Sequence, residues 1–119
     1  TIIFTSDNGG LSTLDSNFKF YAPTSTLPLR GGKGWLYEGG IRVPLLVKPA
    51  NFSSTEKTNE TPVIGHDFMP TILAQANIKV AENSNIDGKD ISNLFVDEKI
   101  DRKELFWHYP HYHGSVCQN

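Results

Sequence analysis

Residues 29–40, Leu-Arg-Gly-Gly-Lys-Gly-Trp-Leu-Tyr-Glu-Gly-Gly, restrict the possible folds of this chain more than any other stretch. They hold five of its ten glycines around one arginine, one lysine and one glutamate. Backbone this bare can approach a ligand closely. A flexible linker would have similar glycine content, but it has no use for Trp35, Leu36 and Tyr37, which need a surface to pack on. The GxxxxGK[ST] spacing of a phosphate-binding loop is absent. Lys33 is therefore a point cation on a glycine frame, suited to gripping an oxyanion whose charge grows as a bond breaks. An ordinary exposed lysine is the rival reading.

The second constraint is at the start. Ile2-Ile3-Phe4 is an apolar run that stops at Asp7, Asn8 and the pair Gly9-Gly10. It reads as a strand covered on both faces, because such strands are continuous apolar runs and ligands collect beyond their ends. A carboxylate beside an amide carbonyl offers two hard oxygens, which suit Ca²⁺ or Mg²⁺ rather than zinc. An Asp-Asn-Gly turn without a ligand is the alternative.

Between these two features, residues 11–28 are mixed in polarity, rich in Ser and Thr, and end near Pro23 and Pro28, the pattern of a long loop. Ile41 to Val47 is β-branched and apolar and predicts a second buried strand, with Pro44 near its entry. Residues 51–61 are polar and predict a surface loop. From His66 to Ala76, the residues Phe68, Met69, Ile72, Leu73 and Ala76 recur at steps of three and four, the stripe of an amphipathic helix. Pro70 is tolerated only near its first turn, Asp67 favours its N-terminal dipole, and Asn77 suits a left-handed cap with Ile78 folding back. Ile91, Leu94 and Phe95 predict a short helical turn. Glu104 to Tyr109, aromatic on both parities and closed by Pro110, predicts a third strand with little exposed face.

Charge and composition exclude several functions. With 11 Lys+Arg against 13 Asp+Glu the net charge is -2, and no basic face exists to track phosphates, so nucleic acid is not an expected partner. No apolar run reaches the roughly 20 residues of a membrane span. Cys117 is the single cysteine and excludes an internal disulfide. His108, His111 and His113 have metal-like spacing, but no second pair closes a tetrahedral zinc site; a wall or loop rich in aromatics is the reading preferred. Glu38 and Arg42 are placed either to pair and pin the glycine loop or to form a weak surface pair. Because Thr1 already lies in a strand, the chain is expected to be a piece of something longer.

Ser6-Asp7-Asn8-Gly9 followed by Leu29-Arg30-Gly31-Gly32-Lys33-Gly34 and by Leu36-Tyr37-Glu38-Gly39-Gly40-Ile41-Arg42-Val43-Pro44 resembles the C-terminal portion of the sulfatase family. Asp67, Pro70 and Thr71, the pair Asp87-Gly88, and Leu105 to Pro110 are similar to the next segments, in the same order, of bacterial members. The resemblance implies an α/β fragment of an alkaline-phosphatase-like fold: a mixed sheet, one main amphipathic helix at about 66–76, and a smaller C-terminal sheet layer. Residues 1–50 would end the catalytic α/β domain and residues 51–119 would begin the smaller C-terminal subdomain. It further implies that Asp7 and Asn8 are two ligands of a calcium ion and that Lys33 contacts the sulfate group; Trp35, His108 and His111 are read here as candidates for lining the substrate. Tyr37, Trp107 and Tyr109 are further wall candidates.

Members attack sulfur with a formylglycine made in a Cys/Ser-x-Pro/Ala-x-Arg motif, and Cys117 does not match it. The expected activity, sulfate ester hydrolysis on a sulfated small molecule or glycan, therefore belongs to a longer parent, and the segment alone is expected to be inactive. A phosphatase or phosphonate hydrolase of the same superfamily is one alternative, and a non-catalytic module keeping the glycine block as scaffold is another; the nucleophile upstream of Thr1 separates them. Exposed strand edges are expected to drive association with another copy. The compartment is left open, a periplasmic or secreted parent being compatible.

Overall fold

The computed structural model describes residues 1–13, 21–50, 58–81, 83–96, 98–110 and, as backbone, 114–118. Strand β1 is Ile2–Thr5, the single helical turn α1 is Glu38–Ile41, β2 is Leu45–Lys48, helix α2 is Phe68–Gln75, β3 is Leu105–Tyr109 and β4 is Gly114–Gln118. β1 pairs with β2 and β3 with β4, giving two two-stranded sheets among the described residues. The Thr5 hydroxyl donates to the Pro44 carbonyl at 2.9 Å and the Ala50 N–H to the Thr1 hydroxyl at 3.3 Å, so β1 and β2 run antiparallel. The result is a small mixed α/β structure with few helices. No helix among the described residues is long and apolar enough to cross a membrane.

The chain divides into two compact units, one of residues 3–47 with 106–118 and the other of residues 1–2 with 48–105. In the second unit the helix at 66–76 is present, entered by a 3₁₀ turn over Gly65–Asp67. Pro70 sits in its first turn. Asn77 closes it at φ 56°. The Ile78 N–H bonds the Leu73 carbonyl at 2.9 Å and the Asn77 N–H bonds the Ala74 carbonyl at 3.0 Å, the paired bonds of a left-handed C-cap. A 3₁₀ turn at Ser92–Val96 follows the buried Ile91, with Leu94 and Phe95 half-buried as expected.

The helix faces inward differently from its apolar stripe. Met69 and Ile72 are 60% and 53% exposed, whereas Asp67 and Thr71, one turn apart, are the largest fully buried side chains. The reason is a polar network. Arg102 grips the Asp67 carboxylate through both guanidinium ends at 2.6 Å each. The backbone N–H groups of Ile64 and Lys89 donate to the same carboxylate at 2.9 Å. The Thr71 hydroxyl donates to the Asp67 carbonyl at 2.6 Å and accepts from the Ile91 N–H at 3.1 Å. Burial alone would push the Asp67 carboxyl up, but the Arg102 and backbone hydrogen bonds, together with the guanidinium charge, outweigh it and hold the group below the usual carboxylate range. Asp67 thus does more than meet the helix dipole: it ties residues 64, 89 and 102 to the start of α2.

The strands also depart from expectation. β1 is not covered on both faces, since Ile2 and Phe4 are 65% and 62% exposed. β2 begins at Leu45 and alternates, with Leu46 outward, while Ile41 belongs to α1. β3 likewise alternates from buried Leu105 to exposed Phe106. Among the described residues each strand has one partner strand, and the outward side chains Phe4, Leu46 and Phe106 stay exposed.

Candidate functional site

The unit containing residues 3–47 is built from backbone rather than from side chains. Beyond β1 the chain turns through Ser6 to Gly10; the Ser6 hydroxyl donates to the Asn8 carbonyl at 2.8 Å and the Asn8 amide nitrogen to the Gly9 carbonyl at 3.0 Å. This loop is then bonded to the glycine block. The Gly9 N–H donates to the Gly40 carbonyl at 2.9 Å, and the Gly10 carbonyl accepts the Lys33 N–H at 2.9 Å. Such closeness demands glycine: a Cβ on Gly9 would overlap the Gly39 carbonyl, and one on Gly40 would overlap the carbonyl of Trp35. A side chain at either place would push the strand tip off the block.

Within the block, the Gly39 N–H donates to the Arg30 carbonyl at 2.8 Å, and the Gly31 carbonyl accepts the Thr26 hydroxyl at 2.6 Å. The Ser12 hydroxyl lies 2.8 Å from that of Thr26, joining the two ends of the long loop. Against the strand tip lies an open cleft of about 270 Å³ lined by Ser6, Asn8, Ser25, Thr26, Leu29 and Arg42 among others. Glu38 and Arg42 pair with one another at 3.0 Å with side chains 45% and 70% exposed, the surface pair rather than a buried pin.

Of the residues singled out from sequence, Asp7 is exposed at the tip and Asn8 is half-buried beside the cleft. The Asp7 carboxylate has no hydrogen bond or ion pair among the described residues, and Asn8 turns its amide nitrogen into its own loop, so that oxygens are left to offer. A carboxylate and an amide oxygen are the donors that suit a hard cation. Among the described residues no group of three or more His, Cys, Asp or Glu gathers as a metal site. Lys33 is exposed, its backbone held to Gly10. Trp35 stacks on Tyr37 with ring centroids 6.1 Å apart and 18° between planes, and its indole N–H donates to the Thr13 hydroxyl at 3.1 Å.

The fold thus joins the backbones that carry Asp7, Asn8 and Lys33. His108 is exposed on β3, and no hydrogen bond among the described residues links it to those loops; His111 and the expected His113 lie outside the described residues. Sequence reasoning passed over Arg30, whose guanidinium lies 3.9 Å from the Tyr37 ring centroid. Its only signal was position, directly before the first glycine pair of the block.

Residues 32–118 match the family described as "N-sulphoglucosamine sulphohydrolase, C-terminal". A sulfatase of Formosa agariphila is 38% identical over 117 residues, covering 93% of this chain and 20% of that protein. Human arylsulfatase A is 34% identical over 116 residues (97% of this chain, 21% of the relative), and human steryl-sulfatase 32% over 112 residues (91% and 19%). The chain spans about a fifth of the length of these relatives. Glycine block and extent of match agree: the chain belongs to the sulfatase family, its residues 32–118 matching the region that the family describes as C-terminal.

Proposed function

We propose that this chain is part of a sulfuric ester hydrolase in which the strand tip holds a cation and the glycine block holds the sulfate. Asp7 and Asn8 would ligate calcium together with oxygens from elsewhere in the parent. Calcium bound there would polarise a sulfate oxygen. Lys33 would place its ammonium on the oxygens of the ester and offset the negative charge that builds as the sulfur–oxygen bond breaks. Trp35, His108 and His111 would wall the substrate, a sulfated small molecule or glycan.

One observation supports the reading above others. The Lys33 N–H to Gly10 carbonyl bond anchors the cation's backbone three residues beyond the Asp7 carboxylate, so oxygens and ammonium belong to one pair of loops. Sulfatases of three kinds among the relatives support the chemistry. The parent would have an alkaline-phosphatase-like fold, with residues 1–50 ending its catalytic domain and residues 51–119 beginning the smaller subdomain. Phe4 and Leu46, both exposed, offer apolar surface for the rest of the parent or another copy.

The test is the full-length protein that carries this segment. Lys33→Ala is expected to lower kcat/KM for an aryl sulfate by roughly 100-fold or more, the scale of losing one oxyanion-stabilising donor. Chelation of calcium should abolish turnover and calcium should restore it. A Lys33→Ala protein as active as the parent would overturn the assignment.

A further inference from the structure

The chain has three arginines, Arg30, Arg42 and Arg102. Arg102 is committed to Asp67 and Arg42 to Glu38. Arg30 meets no carboxylate among the described residues. Its guanidinium carbon instead lies 3.9 Å from the centroid of the Tyr37 ring, and Tyr37 is in turn stacked with Trp35. Stacking occupies the face of a guanidinium and leaves its N–H donors, which point outward in the plane, for another partner. It also narrows the side chain's rotamers before any ligand arrives, reducing the entropy lost on binding.

The platform is itself held. The Tyr37 carbonyl accepts the N–H groups of Gly40 at 2.8 Å and Ile41 at 3.2 Å, and the Arg30 carbonyl accepts the Gly39 N–H at 2.8 Å. Arg30 and Lys33 are separated by two glycines, Gly31 and Gly32, and the single carboxylate of the block, Glu38, is engaged by Arg42. Among the described residues, two cations without a carboxylate partner therefore share one exposed loop. Arg30, pre-ordered and planar, has the geometry to receive an oxyanion beyond the one at Lys33 through a forked pair of hydrogen bonds.

We infer that Arg30 recognises a second oxyanion, a carboxylate or a further sulfate, on the same molecule whose ester sulfate meets Lys33. The substrate class is thus polyanionic. This deepens the sulfatase reading and rests on it for the role of Lys33.

The experiment measures equilibrium binding of benzenesulfonate, benzene-1,3-disulfonate and 3-sulfobenzoate to the full-length protein by calorimetry. The two dianions are expected to bind about tenfold tighter than the monoanion, as befits one charge-assisted bidentate contact near solvent. That ratio should fall to near one in Arg30→Gln and in Tyr37→Leu, and survive in Tyr37→Phe, which keeps the ring under the guanidinium. The Tyr37 pair decides the matter if Arg30→Gln does not fold. The disulfonate and sulfobenzoate arms distinguish sulfate from carboxylate as the preferred group. A ratio near one in the unaltered protein, or one indifferent to Arg30→Gln, overturns the inference. Aryl sulfate hydrolysis by the same preparation is scored separately. An inactive protein with an Arg30-dependent ratio would remove the hydrolase reading and retain dianion recognition, and an active protein without the ratio would do the reverse.

Discussion

The glycine block and the Asp67 network solve opposite problems. Around Asp67 the side chains are the structure: carboxylate, hydroxyl and guanidinium are buried, and each donor or acceptor finds a partner inside. In the block the backbone is the structure, with Gly9 against Gly40 and Gly10 against Lys33, and the charged side chains of Asp7, Arg30 and Lys33 face outward. A region whose polar side chains are fully satisfied has nothing left to give a ligand. A region held by hydrogen bonds between backbone amides keeps its cations and oxygens available, at the cost of leaving no room for a Cβ at Gly9, Gly39 or Gly40.

This contrast predicts different sensitivities, the largest at Asp67. Asp67→Ala leaves Arg102 buried without its partner and is expected to cost about 3–5 kcal/mol in urea unfolding; a loss below about 1 kcal/mol would mean that the network is ornamental. Next is the block. Gly40→Ala drives a Cβ into the Trp35 carbonyl and is expected to cost about 1–3 kcal/mol, while the same change at the open Gly65 should cost less, because nothing lies within 4 Å of a Cβ there.

Acid should act on the Asp67 network, which depends on an ionised carboxylate, more than on the block, which backbone amides hold. Asp67 has its folded pKa below the unfolded value, so its contribution is complete above about pH 4 and is lost as the pH falls through the lower, folded value. Unfolding followed between pH 6 and pH 2 should show that acid-side loss in the unaltered chain and lack it in Asp67→Asn. The smallest effect belongs to Glu38. Removing its exposed partnership with Arg42 by Glu38→Gln should change stability by no more than about 0.5 kcal/mol; a larger loss would show that the pair pins the block after all.

Local physics made much of this legible. The helix and its cap needed only Pro70 near the start, Asn77 at the end and the apolar period of Phe68, Met69, Ile72, Leu73 and Ala76 between, all short-range terms. The glycine block was readable as a place of close approach because glycine without Cβ, mixed with aromatics, has few other uses. β1 was visible as an apolar run ending in polar residues. Less legible was which way elements faced. Met69 and Ile72 argued for an inward stripe, yet Asp67 and Thr71 took the inside. Ile41 looked like strand and lies in a helical turn, since the Tyr37 and Glu38 carbonyls capture the N–H groups of Ile41 and Arg42.

The places of β1 and β3, the capped helix, the bare loop and the family itself were determined by the amino-acid order, since propensity, capping and the absence of Cβ act within a few residues. The inward face of α2, the bonding of Gly9 and Gly10 to the distant block, and the sorting of three arginines into two that are paired and one that is stacked were decided only by the tertiary structure. The physical reason is that a buried carboxylate or a close backbone contact is favourable only once its partner, tens of residues away, has arrived.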